Sequence, residues 1–479
     1  MPHTDLAHTA AVLGAVAIAP LLLGRTRAVV LSGLALLTLA GVGLAVALVP
    51  GSDLRRIGES PSHLGAVVAG AIAVVALAFA LDRYPGVAPV LLLASAPFRI
   101  SVTLGSQHAM LLLLLYGVLA AAVLAFVRGL VRDASLRPIH PWLAGPSTAL
   151  IGLYALSLLW TKDVHAGSIE LLFFLFPFAA LVAVVARGPC PSWLPRALGV
   201  TVVAEALVFA AIGLWEEATH HVFFSRFLEV SNAYTTYFRV NSLFYDPNVY
   251  ARHLVLAIAV LLVALWRKHI SIVYAAVAGA ILWFGLYYSY SQSGLLALFV
   301  VVVAVTLVSG DRGGRRIVAV ATAGFVLIGA GLVAANIKGQ SARSLTSGRS
   351  HLVSVAGHVF IDHPLVGVGV GAQPLASREL AKSRTPTKGD VSHTTPVTVA
   401  AELGIVGLAA YLAWLVGAAG TLRRAWRSDS TVGIGLAAVF FVLFVHSLLY
   451  SGFFEDPITW GTLAFAGAFS AARSLGSAP

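Results

Sequence analysis

Leu171–Ala186 reads LLFFLFPFAALVAVVA, sixteen residues without a charged or hydroxyl side chain. A helix of that composition has no face suited to water. It is close to the roughly 20 apolar residues that a bilayer core requires, and in lipid only a helix pairs its backbone groups within a single segment. The same kind of stretch recurs near residues 10–23, 29–49, 64–81, 87–98, 110–127, 143–160, 197–215, 249–266, 270–288, 295–308, 317–335, 396–419, 433–449 and 458–472. The expected fold is therefore an all-α polytopic transmembrane helical bundle. Residues 87–98, short and carrying Pro89 and Pro97, are the weakest of the fifteen stretches, so about 12–15 spans are expected.

Composition agrees: 59% of the 479 residues are apolar, only 11% are charged, and mean hydropathy is +0.90. Cys190 is the single cysteine, which excludes an intrachain disulfide and a cysteine-rich metal site. The formal charge of +11 is scattered in short groups between apolar runs. That pattern suits anionic membrane lipid and speaks against nucleic acid. Ala10–Leu23 has no Lys or Arg before it but Arg25 and Arg27 after it, the reverse of a secretory signal. It is expected to be a retained first helix with its N-terminus outside.

Orientation follows from the basic residues. Seventeen of the 31 Lys and Arg fall on one side if the longest polar loop, 338–393, lies on the other. This predicts an extracytoplasmic loop 338–393 on a multi-pass protein of the cytoplasmic (inner) membrane. Four stretches separate it from the next-longest loop, 216–248, so parity puts both on one face, where they can meet. No soluble domain or internal repeat stands out, and residues 1–479 read as a single transmembrane domain.

Candidate chemistry sits in these two loops. Loop 216–248 ends in Tyr237-Phe-Arg239-Val-Asn241-Ser-Leu-Phe-Tyr245-Asp246-Pro-Asn248, ahead of a stretch containing Arg252 and His253. Arginine forks at a membrane surface suit the oxygens of a phosphate, although they also serve as plain headgroup anchors. In loop 338–393, apolar residues recur at helical spacing after Arg349, predicting a short amphipathic helix at about 349–362, ended by Pro364 and capped by Ser347 or Ser350. Arg349 then lies at the helix's positive end, a natural phosphate position. Gly367-Val-Gly369-Val-Gly371 lacks a nucleotide-loop context and is expected to allow a tight bend or close packing. The four loop histidines match no metal-ligand spacing, so no metal or other cofactor is called for. His393 heads the next stretch and can take a proton from a hydroxyl; Glu402 lies two to three turns further on. Glu205, inside residues 197–215, is ionisable in a span and a functional candidate with Arg252 or His253 as partner, or else a structural polar pair.

Three pieces together resemble the O-antigen ligase family, within a superfamily that also holds O-antigen polymerases and protein O-oligosaccharyltransferases. They are Arg239…Asp246-Pro247-Asn248, Ser347-Gly348-Arg349…His363-Pro364-Leu-Val-Gly367-Val-Gly369, and His393 followed by Gly404-Ile-Val-Gly407, covering about residues 239–407. The family pattern has a glycine near the second residue after its first arginine, where this chain has Val240-Asn241-Ser242. The resemblance implies a GT-C-type membrane fold and a metal-independent glycosyltransferase. Its donor would be a polyprenyl-diphosphate-linked glycan and its acceptor a hydroxyl on a lipid, polysaccharide or protein. By resemblance Arg239 and Arg349, with Arg252 beside them, bind the diphosphate; His393 activates the acceptor; Asp246, Asn248, Glu402 and Glu205 support them. An O-antigen-type polysaccharide polymerase is the nearest alternative, and a proton-coupled secondary transporter is the alternative of another class.

Overall fold

The computed structural model describes residues 3–49, 61–104, 107–132, 135–336, 349–382 and 391–476. Each of the fifteen apolar stretches contains a helix. The first three are α1 (Thr4–Leu23), α2 (Arg27–Leu48) and α3 (Pro61–Arg83). After a 3-10 turn at Pro85–Val87 comes the short α4 (Ala88–Ser95), and then a hairpin of β1 (Ile100–Leu104) and β2 (Gln107–Leu111), paired antiparallel with Ile100 opposite Leu111. This hairpin is the one departure from the all-α expectation among the described residues. Next come α5 (Leu113–Val131), α6 (Pro141–Ser157), and α7 (Val164–Glu170), which continues through a π turn at Leu171–Leu175 into α8 (Phe176–Arg187). The chain goes on with α9 (Leu194–Thr219), the surface helix α10 (Arg226–Ala233), α11 (Pro247–Trp266), α12 (Ile272–Tyr288), α13 (Gln292–Ser309) and α14 (Arg312–Asn336). It closes with α15 (Arg349–Asp362), α16 (Gln373–Leu380), α17 (Thr395–Ser428), α18 (Ser430–Ser447) and α19 (Pro457–Gly476).

Among the described residues ten helices are long and apolar enough to cross a membrane. The expected 12–15 spans are reached by adding helices outside those ten, α14 at 25 residues and α19 at 20, and the shorter α6 and α12 at 17 each and α4 at eight. The order of helix ends is consistent with all of them traversing. Asp82, near the end of α3, pairs with Arg128 and Arg132 at the end of α5, at 3.4 and 2.7 Å, so α3 and α5 run parallel. The segment from α4 through the hairpin must then carry the chain back across. At the same end of the bundle Arg187 donates to the carbonyls of Leu21 (2.9 Å) and Gly24 (3.3 Å), and Arg473 meets Asp429 at 3.5 Å. The opposite end gathers both long polar loops.

At that opposite end, aromatic packing fixes the turn between α18 and α19. Trp414 of α17 packs on Trp460 of α19 at 5.2 Å and on Phe454 at 5.5 Å between ring centroids, while the Trp460 indole donates to the Phe454 carbonyl at 2.9 Å. Phe453 and Phe454 are thereby buried, and the polar residues beside them, Tyr450, Glu455 and Asp456, are held at fixed positions.

The helix at 349–362 falls where the sequence puts it; Ser347, one of its two expected caps, lies outside the described residues. The glycine run after it is a backbone clamp. Gly367, Gly369 and Gly371 all have positive φ (66, 92 and 71°), and α17 is itself broken at Gly404, with φ 63° and ψ −158°. The break frees backbone groups of α17 for the incoming segment: Val368 and Gly369 N–H donate to the Ala401 and Glu402 carbonyls at 3.0 and 2.8 Å, and Ile405 N–H donates to Pro364 O at 2.8 Å. On its other side the segment is tied to the α6–α7 turn, with Lys162 N–H donating to Val368 O at 3.1 Å and the Thr161 hydroxyl to Val370 O at 2.7 Å. Only glycine fits such backbone-to-backbone contact at positive φ. Gly404→Ala would drive a Cβ into the Leu365 carbonyl. Left-handed strain alone costs about 1–3 kcal/mol, so this variant is expected to unfold several degrees below wild type in detergent. Gly435→Ala in α18, where a Cβ meets nothing, is expected to melt with wild type; thermal unfolding of the purified variants checks both.

Candidate functional site

Loop 216–248 is organised from below by one carboxylate. Glu216, fully buried at the end of α9, accepts from the backbone N–H of Phe223 (3.1 Å), Asn241 (3.0 Å) and Ser242 (2.7 Å). Asn232 of α10 clamps Arg239 from both sides: its amide donates to the Arg239 carbonyl at 2.9 Å, and its side-chain oxygen accepts the Arg239 N–H at 3.1 Å. The Arg239 Nε donates to the Ser289 carbonyl at 3.0 Å, which orients the guanidinium. Ser242 sits in the left-handed region, φ 53°, with its buried hydroxyl lacking a hydrogen-bond partner among the described residues. The backbone there favours a residue without a Cβ.

Asp246 caps α11, accepting from Asn248 N–H at 2.7 Å and from the Asn248 amide at 3.0 Å, while its other oxygen accepts from the Tyr450 hydroxyl at 2.9 Å. Tyr450 in turn lies 6.0 Å, ring to ring, from His393. Burial pushes the Tyr450 phenol far up, and the adjacent Asp246 adds to the shift, so the group stays a neutral donor. Asn248 continues the network inward. Its oxygen accepts from Ser291 at 2.7 Å, and the Ser293 hydroxyl meets His446 Nε2 at 3.2 Å.

Arg349, at the start of α15, is close enough to act electrostatically on both Arg239 and His446. The Arg239 guanidinium is lowered from its ordinary value, first by burial and further by Arg349, against the opposing pull of Asp246 and Tyr237. Even so, a guanidinium stays charged at neutral pH. Two cations from separate loops thus act on each other with one carboxylate, Asp246, also acting on Arg239, a local positive excess suited to an anion.

His393 is held from the other side. Glu402 lies behind the glycine clamp and accepts from the Gln373 N–H at 3.4 Å; the Gln373 side-chain oxygen accepts from Ser392 N–H at 3.1 Å, and the Ser392 and Thr398 hydroxyls meet at 2.6 Å. His393 follows at φ 55°, a conformation costly for a bulky residue. Glu402 is thereby linked toward His393 through Gln373 and Ser392.

Arg252 and Glu205 depart from their expected places. Arg252 is 3% exposed and bound to Asp456 at 2.7 Å. It is held in an internal ion pair with Asp456, and not with the Glu205 weighed from the sequence. His253 bonds the Val249 carbonyl at 2.8 Å. Glu205 has no ion pair among the described residues and stands apart from the cluster. Sequence reading missed Glu216, Asn232, Gln373, Tyr450 and His446. His446 carried a usable signal, being an ionisable group inside an apolar stretch; Asn232 and Gln373 carried none. A cavity of about 920 Å³ lies elsewhere, between α4, α9, α11, α18 and α19, and its polar lining, Arg196, His269, Asp429 and Arg473, belongs to the end opposite His393.

The fold and cluster define a polytopic helical membrane protein with a cationic polar site at one end of its bundle. Residues 277–412, which contain Arg349, the glycine clamp and His393, match the family model described as O-antigen ligase, and the resemblance drawn from the sequence holds over that segment. The match supports a membrane glycosyltransferase of the O-antigen ligase and polymerase type, and not the transporter alternative. No curated protein matches the chain.

Two substitutions probe the loop scaffold. Ser242→Gly relieves the left-handed strain and removes an unpaired buried hydroxyl, and is expected to stabilise the protein by about 1 kcal/mol. Glu216→Ala strands three N–H groups, each worth about 1–3 kcal/mol if unpaired, and is expected to open the loop to protease between residues 220 and 246. Limited proteolysis of the two variants beside wild type reads both effects.

Proposed function

We propose that the chain transfers a glycan from a polyprenyl-diphosphate-linked donor to an acceptor hydroxyl, with Arg239 and Arg349 on the diphosphate and His393 as general base. The observation that carries this reading is the Asp246–Tyr450–His393 chain of contacts, which ties the Arg239 loop to the mouth of α17, with Arg349 acting electrostatically on Arg239. His393 takes the proton from the acceptor hydroxyl. The acceptor oxygen attacks C1 of the donor sugar, the bond from C1 to the phosphate oxygen breaks, and the polyprenyl diphosphate leaves with the electron pair. The developing negative charge falls between two preorganised guanidinium groups, which already face the site before reaction. Holding both reactants at the bundle end converts a bimolecular encounter into an intramolecular one.

Asp246 and Tyr450 position the two halves of the site relative to each other, and Gln373 and Ser392 carry the orientation of His393 back to Glu402. The site end is the extracytoplasmic face of the cytoplasmic membrane, a reading supported by the collection of Arg residues at the other end. The acceptor, on a lipid, a polysaccharide or a protein, approaches from that face. Two positioned arginines provide the charge neutralisation that a metal would otherwise supply.

His393→Ala and Arg349→Ala are each expected to lower transfer by about 100-fold or more, the scale of general-base catalysis and oxyanion stabilisation. Activity is expected to persist in excess chelator. Wild-type transfer by both purified variants would sink the assignment, and loss of activity with chelator would require a metal.

A further inference from the structure

Beside Arg239 lies a group of aromatic rings that the reaction as proposed does not use. Tyr237 and Tyr290 pack with centroids 4.5 Å apart at 33°, and Tyr287 lies 5.9 Å from Tyr290. The three remain 43, 36 and 48% exposed, so ring surface faces outward. The group is tied to the cationic site through the backbone: Val240 N–H donates to Tyr288 O at 3.1 Å, and Arg239 Nε donates to the carbonyl of Ser289, the residue before Tyr290. Tyr290 adopts φ 48°, a conformation a large side chain rarely takes. With His220, Ser242 and His393 it is one of four such residues in and around the site.

A carboxylate completes the group. Glu217, at the end of α9, lies within electrostatic reach of Tyr290, and its Oε2 is buried without a hydrogen-bond partner among the described residues. Ordinary headgroup-level aromatics need no left-handed backbone among them.

We propose that Tyr237, Tyr287, Tyr290 and Glu217 form a subsite for one sugar ring of the diphosphate-linked donor. A pyranose has an apolar face of C–H bonds and a rim of hydroxyls. The electron-rich faces of the tyrosines suit the first, while the Glu217 carboxylate and the phenols accept hydrogen bonds from the second. The sugar is expected at this place because Arg239 beside it holds the diphosphate to which the glycan is attached; the inference rests on the proposed function in that respect.

The test uses the full chain in detergent and two probes, polyprenyl diphosphate bare and the same lipid carrying one hexose or one N-acetylhexosamine. Wild type is expected to bind a sugar-bearing lipid about tenfold more tightly than the bare one. Tyr237→Leu and Tyr290→Leu should each reduce that margin several-fold with bare-lipid affinity unchanged, and Tyr290→Phe, which keeps the ring face and loses only the phenol, should reduce it less than Tyr290→Leu. Glu217→Gln should reduce it as well. No margin in wild type, a margin kept in the leucine variants, or an equal loss for both lipids would overturn the subsite. Arg239→Ala and Arg349→Ala should weaken both lipids alike; if they weaken neither, the diphosphate assignment itself fails.

Discussion

The site depends on a helix that is broken. An unbroken α17 would pair its own carbonyls, and those of Ala401 and Glu402 would be closed to any other chain. The left-handed residue at Gly404 opens them, and Val368 and Gly369 take the places. Because the same few residues are bonded to the α6–α7 turn on their far side, α15 and α17 are joined through backbone to the body of the bundle. Arg349 begins the first of these helices and His393 stands at the mouth of the second. Their separation is therefore set by hydrogen bonds between main chains, which vary less than contacts between flexible side chains.

The second half of the site is built differently. Arg239 lies in a loop with little regular structure, and its position comes from buried polar groups: Glu216 beneath, Asn232 around its peptide, and Asp246 between it and Tyr450. A loop organised this way is satisfied only as a whole, since removing one acceptor strands several donors at once. The two halves meet where the Tyr450 phenol bridges Asp246 to the ring of His393, at a turn locked by the Trp414–Phe454–Trp460 packing. The polar site thus draws on apolar packing for its rigidity.

Much of this was legible in the sequence. Apolar length alone marks fifteen stretches that all contain helices, and the spacing after Arg349 places α15 with its observed bounds. The charge bias and parity bring Arg239 and Arg349 to one face, and the glycine run reads as close packing because no phosphate-loop context surrounds it. The misses have physical causes. The β hairpin of β1 and β2 falls in the link between the apolar stretches 87–98 and 110–127, a short piece of mixed polarity with no apolar run to mark it. Arg252 reads as a phosphate ligand because Asp456, its partner, is far away in sequence. Gln373 and Asn232 act through single hydrogen bonds that no periodicity or charge pattern announces. The left-handed backbone at Ser242 is likewise visible only in its φ, since serine does not announce it.

The most direct test is a cryo-EM structure of the full chain with a non-transferable polyprenyl-diphosphate-linked sugar bound. The diphosphate is expected between the guanidinium groups of Arg239 and Arg349, with the C1 atom of the sugar turned toward His393. Density for the diphosphate in the cavity lined by Arg196 and Arg473, or away from both site arginines, would contradict the assignment.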